Sequence, residues 1–268
     1  MGIIDDIQLS SFIVIPEEKV VTINLGGNTL STTGTLMRVD GFLSISNGSL
    51  ASGGDCVTIP EEGTLITDSV NMTSDTLRCV RALDGGTVII NGGNFHAREM
   101  CVQLVKDADV TINSGNFLSD DNGVIMDHGS PGNGNNVLTV NGGYFEGRIV
   151  SAGYLAFVVH HATSGVYNIN GGTFKALNGA GFVCRAGELN LENCTIICGT
   201  SEEVTGWVGD NKLQIGCYPL VYCEQSKYPE VDSLEINVGE NVVFDGGPNG
   251  ERVQYFLSDG VEPNITGV

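Results

Sequence analysis

Apolar and polar residues alternate along this chain in short bursts that break at Asn and Gly. The stretch VIINGGNF (88–95) returns as VTINSGNF (110–117), LTVNGGYF (138–145) and YNINGGTF (167–174), with fainter versions at VTINLGGNTL (21–30), LSISNGSL (43–50) and LNLENCTI (189–196). Alternation with a period of two predicts strands with one buried face, and the Gly pairs predict tight turns. Self-similarity at a fixed period is the signature of a repeat architecture.

With Asn91 as the reference position, equivalent residues are Asn24, Ser46, Asp68, Asn91, Asn113, Asn141, Asn170, Glu192 and, past a weak repeat near Gln214, Asn237. The steps are 22, 22, 23, 22, 28, 29, 22 and 45, the last read as a double step. A period near 22 is the length of one coil of a β-solenoid. Four residues after the reference come Leu50, Met72, Phe95, Phe117, Phe145, Phe174 and Ile196; three before it come Val21, Leu43, Leu65, Val88, Val110, Leu138, Tyr167 and Leu189. Stacking these columns at about 4.8 Å per coil buries apolar ladders that no single coil could bury alone. The reading is an all-β, single-stranded β-helix of about ten coils forming one domain, with coils over 21–244 and caps at 1–20 and 245–268. Asn at the reference position predicts an Asn ladder along one corner.

Composition supports this picture: 38 Gly against 7 Pro, with much Val, Ile, Asn and Thr, leaves little material for helices. A net charge of −20 would repel a phosphate backbone, so nucleic acid is not an expected partner. The opening MGIIDDIQLSSFIVIP lacks a basic region and carries an Asp pair, so no secretory signal is read there, and no segment is long enough to span a membrane. Synthesis in a reducing cytoplasm makes the eight Cys buried thiols rather than disulfides. Cys56, Cys79 and Cys101 should stack in consecutive coils, and Cys194 with Cys217. The C-x3-C and C-x5-C spacings of Cys194, Cys198, Cys217 and Cys223 do not make a zinc knuckle, so no metal is expected. No cofactor fingerprint is present.

The coils starting at Asn113 and Asn141 carry six or seven extra residues, which should project as loops, where function tends to reside. The first holds Asp120, Asp121, Asp127 and His128; the second holds Arg148, Tyr154, His160 and His161. Arg98, Asp120 and Arg148 each lie seven residues after their reference positions, giving an outward plus, minus, plus column. It reads either as an ion-pair ladder between coils or as a ligand-binding groove. Trp207, Tyr218, Tyr222 and Tyr228 are read mainly as packing residues of the late coils.

The repeat resembles the right-handed parallel β-helix of the pectin-lyase-like superfamily over residues 20–245. Polygalacturonase-like hydrolases of that fold use an Asp pair, a Gly-His-Gly turn and an Arg-Ile-Lys triplet. SDDN (119–122) is similar to the first and DHG (127–129) to the second, with Asp127 in place of Gly; Arg148 and Ile149 are followed by Val150 instead of Lys. That resemblance implies Asp120, Asp121, His128 and Arg148 as catalytic residues if the chain is an enzyme. A β-helix beginning close to Met1 without a catalytic signature also resembles bacteriophage virion appendages. The first expectation is therefore a non-enzymatic virion surface protein, homo-oligomeric, made in the host cytoplasm and contacting virion proteins, its own subunits or a host polysaccharide. Its ligand-binding residues would be Arg98, Asp120, Asp121, Asp127, His128, Arg148, His160 and His161. The alternative is a polysaccharide hydrolase or lyase.

Overall fold

The computed structural model describes residues 2–121, 123–127, 134–148, 157–177, 179–198, 219–222, 234–246, 255–256 and 264–267. Among them the structure is all-β without a helix, and its strands form two sheets of sixteen and ten strands in which every pairing is parallel. The chain visits the sheets in turn, so strands adjacent in a sheet come from successive sequence repeats, an arrangement consistent with a β-solenoid. The smaller sheet runs from Ile13–Ile15 to Tyr255–Phe256. Ile7–Gln8 and Ile13–Ile15 already pair into the sheets, as do Tyr255–Phe256 and Asn264–Thr266 at the other end.

The two apolar columns of the sequence are real columns in register. Leu50, Met72, Phe95, Phe117, Phe145, Phe174 and Ile196 are successive cross-strand neighbours, and Phe244 follows Ile196. The four Phe rings stack face to face with centroids 4.6, 4.8 and 4.7 Å apart and no more than 11° between planes. That spacing is the interstrand distance, so each ring's orientation repeats its neighbour's and all four are buried. Val21, Leu43, Leu65, Val88, Val110, Leu138, Tyr167 and Leu189 form the second column.

The Asn ladder is present: Asn113 donates to Asn91 at 2.7 Å, Asn141 to Asn113 at 2.8 Å and Asn170 to Asn141 at 2.9 Å. The glycines beside it do not end the strand as expected. Thr87–Ala97 and Asp109–Ser119 run through this corner, with the register slipping on either side of Asn91. Gly93, at φ 118°, is needed there because a Cβ would lie 2.0 Å from the Val70 carbonyl oxygen.

The last step of the repeat corrects the sequence reading. Leu189 pairs directly with Ile236, and Asn237 donates to Asn190, 47 residues away, at 2.8 Å. Strands 187–191 and 234–238 are therefore direct neighbours in the sheet, and Asn237 is equivalent to Asn190 instead of Glu192. Alternation in 189–191 and 234–238 fits either alignment, and the pattern alone does not choose between them. Gln214 lies outside the described residues.

Cys56, Cys79 and Cys101 stack as expected and are fully buried free thiols whose Sγ atoms donate to backbone carbonyls such as Thr73 and Leu118. Burial and the two neighbouring thiols push the Cys79 thiol well up. The strand after Cys194–Cys198 in the sheet is Val243–Asp245, and the expected stacking of Cys194 with Cys217 falls on a residue outside the described ones. Cys217, Cys223, Trp207, Tyr218 and Tyr228 lie outside the described residues, while Tyr222 pairs with Cys184 in the smaller sheet.

Candidate functional site

The outward face of the large sheet carries a groove across Thr87–Ala97, Asp109–Ser119 and Tyr144–Gly147. Alternation puts Phe95, Phe117 and Phe145 inside, so their neighbours on either side point out. Asn94, Asn116 and Tyr144 form one outward row, and His96, Leu118 and Glu146 the next, with Lys175 continuing it. Apart from Lys175, these residues and Arg148 line a recess of about 430 Å³. A sheet fixes such positions more firmly than a loop, because each backbone is hydrogen-bonded on both sides.

The plus, minus, plus column also exists at the backbone: Asp120 N donates to Ala97 O at 3.1 Å and Arg148 N to Ser119 O at 2.8 Å. The ion pairs run differently from a simple ladder. Asp120 lies 2.8 Å from His96 Nε2, Arg98 pairs with Asp121, and Arg148 donates to Glu146 at 2.7 Å. Glu146 also accepts from the Tyr144 hydroxyl at 2.6 Å and from Lys175 at 3.5 Å. Partial burial pushes the Glu146 carboxyl up, but the Tyr144 hydroxyl and the Arg148 and Lys175 charges outweigh it and hold it below the usual range. Burial and the Glu146 charge together push the Tyr144 phenol up to about 12. This leaves Glu146 ionised and Tyr144 protonated near neutrality.

His96, Tyr144, Glu146 and Lys175 were missed by the sequence reading. His96, Leu118, Glu146 and Lys175 all lie five residues after their reference Asn, so reading that outward column beside the apolar ones would have found His96, Glu146 and Lys175.

Asp127, His160 and His161 form a separate cluster on Ile125–Asp127 and Phe157–His161 of the small sheet. Instead of projecting from a loop, Asp127 and His161 are fully buried. Asp127 accepts from Ala162 N at 2.7 and 2.8 Å, from Thr163 N and Oγ1 at 3.0 Å each, and lies 3.2 Å from His161 Nδ1. Burial alone would raise its carboxyl, yet the hydrogen bonds of the two imidazoles hold it well below the usual range. His161 stacks on Tyr167 with centroids 4.0 Å apart. Burial, with the Arg185 guanidinium beside it, pushes the His160 imidazole down. The carboxylate fastens the 162–163 corner to the preceding repeat and offers no exposed surface. His128 and Tyr154 lie outside the described residues.

No group of His, Cys, Asp and Glu among the described residues is arranged to hold a metal ion. No family model, curated protein or solved structure matches this chain.

Proposed function

We propose that this chain is a right-handed parallel β-helix acting as a non-enzymatic binding module, and that the groove from His96 to Arg148 receives a glycan. The observation that carries this reading is the groove itself. It presents an aromatic ring, two amides, an apolar floor at Leu118 and hydrogen-bonded charges on rigid strands. Sugar rings combine apolar faces with hydroxyl edges, and such a surface complements both.

Binding is favoured over cleavage by the state of the carboxylates. A glycosidase needs one carboxylic acid with a raised pKa beside a second, ionised carboxylate. Here Glu146 is held down by three partners, while Asp120 and Asp121 are engaged by His96 and Arg98. The biological setting we infer is a virion surface, where such a rod would contact capsid, sister subunits or host polysaccharide. That part rests on the resemblance of the repeat to phage appendages.

The test is a glycan array run together with a reducing-sugar assay on the same panel. Binding without sugar release, lost in Tyr144→Ala, is the expected result. Release of oligosaccharides by the wild type would replace this reading with the hydrolase one.

A further inference from the structure

The cations and anions of the groove are not equally placed. The Arg98 side chain is 45% exposed over an Asp121 that is 15% exposed, and Arg148 is 44% exposed over a Glu146 that is 10% exposed. The carboxylates lie beneath and the guanidinium heads above, in a chain whose net charge is −20. The wider recess of about 760 Å³ near the first repeats is rimmed mainly by carboxylates, Glu17, Glu18, Glu61, Glu62 and Asp84, with Lys19 and Arg38 beside them. Each arginine engages one carboxylate, and a guanidinium has five donors in a planar fork, which leaves donors for an incoming acidic group.

The spacing of their backbone positions is set by the fold. Arg98 and Arg148 are equivalent and two repeats apart, about 10 Å along the stack, and the Arg98 side chain reaches to Asp121 of the intervening repeat. Between them the intervening repeat presents the carboxylate of Asp120, which is 26% exposed, with Leu118 two residues before it in the neighbouring outward row. The pattern along the stack is therefore a cation, an apolar and acidic step, and a second cation. Two interstrand steps are close to the length of one disaccharide in an extended glycan. An acid on every sugar would set one carboxylate against Asp120, whereas an acid on every second sugar meets only the arginines.

We propose that the groove selects a linear glycan carrying one acidic group per disaccharide, lying along the stacking direction with its acids on Arg98 and Arg148 and the neutral sugar over Leu118. This rests on the glycan-binding reading above and adds the charge periodicity of the ligand.

The experiment is titration calorimetry of the full chain at near-physiological salt with three probes. Hyaluronan oligosaccharides alternate an acidic and a neutral sugar, polygalacturonate oligosaccharides are acidic at every sugar, and dextran is neutral. Hyaluronan should bind at least about tenfold more tightly than polygalacturonate, with dextran weakest. Arg98→Gln and Arg148→Gln should each weaken hyaluronan about tenfold, the scale of one charge-assisted contact. Asp120→Asn should narrow the gap by improving polygalacturonate. Circular dichroism on each variant checks that the fold is retained, as these side chains are exposed.

Polygalacturonate or dextran binding as tightly as hyaluronan, and lost in Tyr144→Ala, overturns the periodicity and leaves glycan binding intact. Hyaluronan binding indifferent to both arginine substitutions also overturns it. Failure of all three probes to bind removes both readings.

Discussion

Arg185 donates its Nε proton to Nε2 of His160 across 3.1 Å, which requires a lone pair on that nitrogen and so a neutral imidazole protonated at Nδ1. Nδ1 in turn lies 3.3 Å from the Asp127 carbonyl oxygen. A second proton on His160 would turn this bond into a contact between two cations. With its folded pKa pushed below 6.5 by burial and Arg185, His160 is protonated more readily in the unfolded chain. Stability should therefore be highest above the unfolded value and decline as pH falls from about 6.5 towards the folded pKa. The Asp127 contribution has the same direction at lower pH. Its folded pKa is depressed, so its stabilisation is complete above about 4 and is lost as pH falls through the folded value. Urea midpoints from pH 8 to pH 4 should show the first decline, and His160→Gln should flatten it. An unchanged profile in that variant would show that another group titrates there.

Asp127 itself gives a second prediction. Its two oxygens accept from two backbone amides and a hydroxyl, and one faces an imidazole, so the Asp127→Asn amide would turn donor against donor. Leaving such groups unmatched in a fully buried site should cost about 3 kcal/mol in chemical denaturation. A cost below 1 kcal/mol would mean that the corner at Ala162 and Thr163 is held by other contacts.

Phe117 sits between Phe95 and Phe145 in the ring stack and is buried to within 1%. Phe117→Ala removes both ring contacts and opens a void that cannot close without shifting two paired strands. The expected loss is about 3–5 kcal/mol, read from denaturant midpoints at constant m-value. Phe117→Leu should lose much less, because Leu50 and Met72 already occupy the same column.

The thiols are a third check on the interior. Cys56, Cys79, Cys101, Cys184, Cys194 and Cys198 are all buried. In the native protein these six should resist a thiol reagent, and all six should react once the chain is unfolded. Burial pushes the Cys194 thiol up to about 12, so it should stay unreactive in the folded state even in mildly alkaline buffer.

The two apolar columns and the Asn ladder were legible because a parallel stack repeats one environment at every step, so the sequence must repeat with it. The Phe residues, the Asn at the corner and the Cys56–Cys79–Cys101 row all answer to that rule. The groove was only half legible. Arg98, Asp120 and Arg148 share a position, but their partners depend on side-chain reach: His96 stretches to Asp120 and Glu146 turns back to Arg148, which register alone does not reveal. Asp127 was misread because a carboxylate on a buried face violates the apolar pattern. Only the structure shows the amides of Ala162 and Thr163 that satisfy it.

The carboxylates Asp120 and Asp121 separate a binding groove from an active site. If they drove glycoside cleavage, Asp120→Asn with Asp121→Asn would keep shape and remove an essential acid or nucleophile, lowering turnover by orders of magnitude. Their partners point to another outcome. Asp120 faces a His96 that is 49% exposed and Asp121 an Arg98 that is 45% exposed, so water and salt screen both pairs. Exposed pairs of this kind are worth about 0–1 kcal/mol each. The double variant should thus fold with nearly unchanged stability, and its circular dichroism should overlay that of the wild type. Neither protein should release reducing sugar from bacterial or plant polysaccharides. Reproducible release by the wild type, abolished in the double variant, would make the groove an active site and retire the binding-module reading.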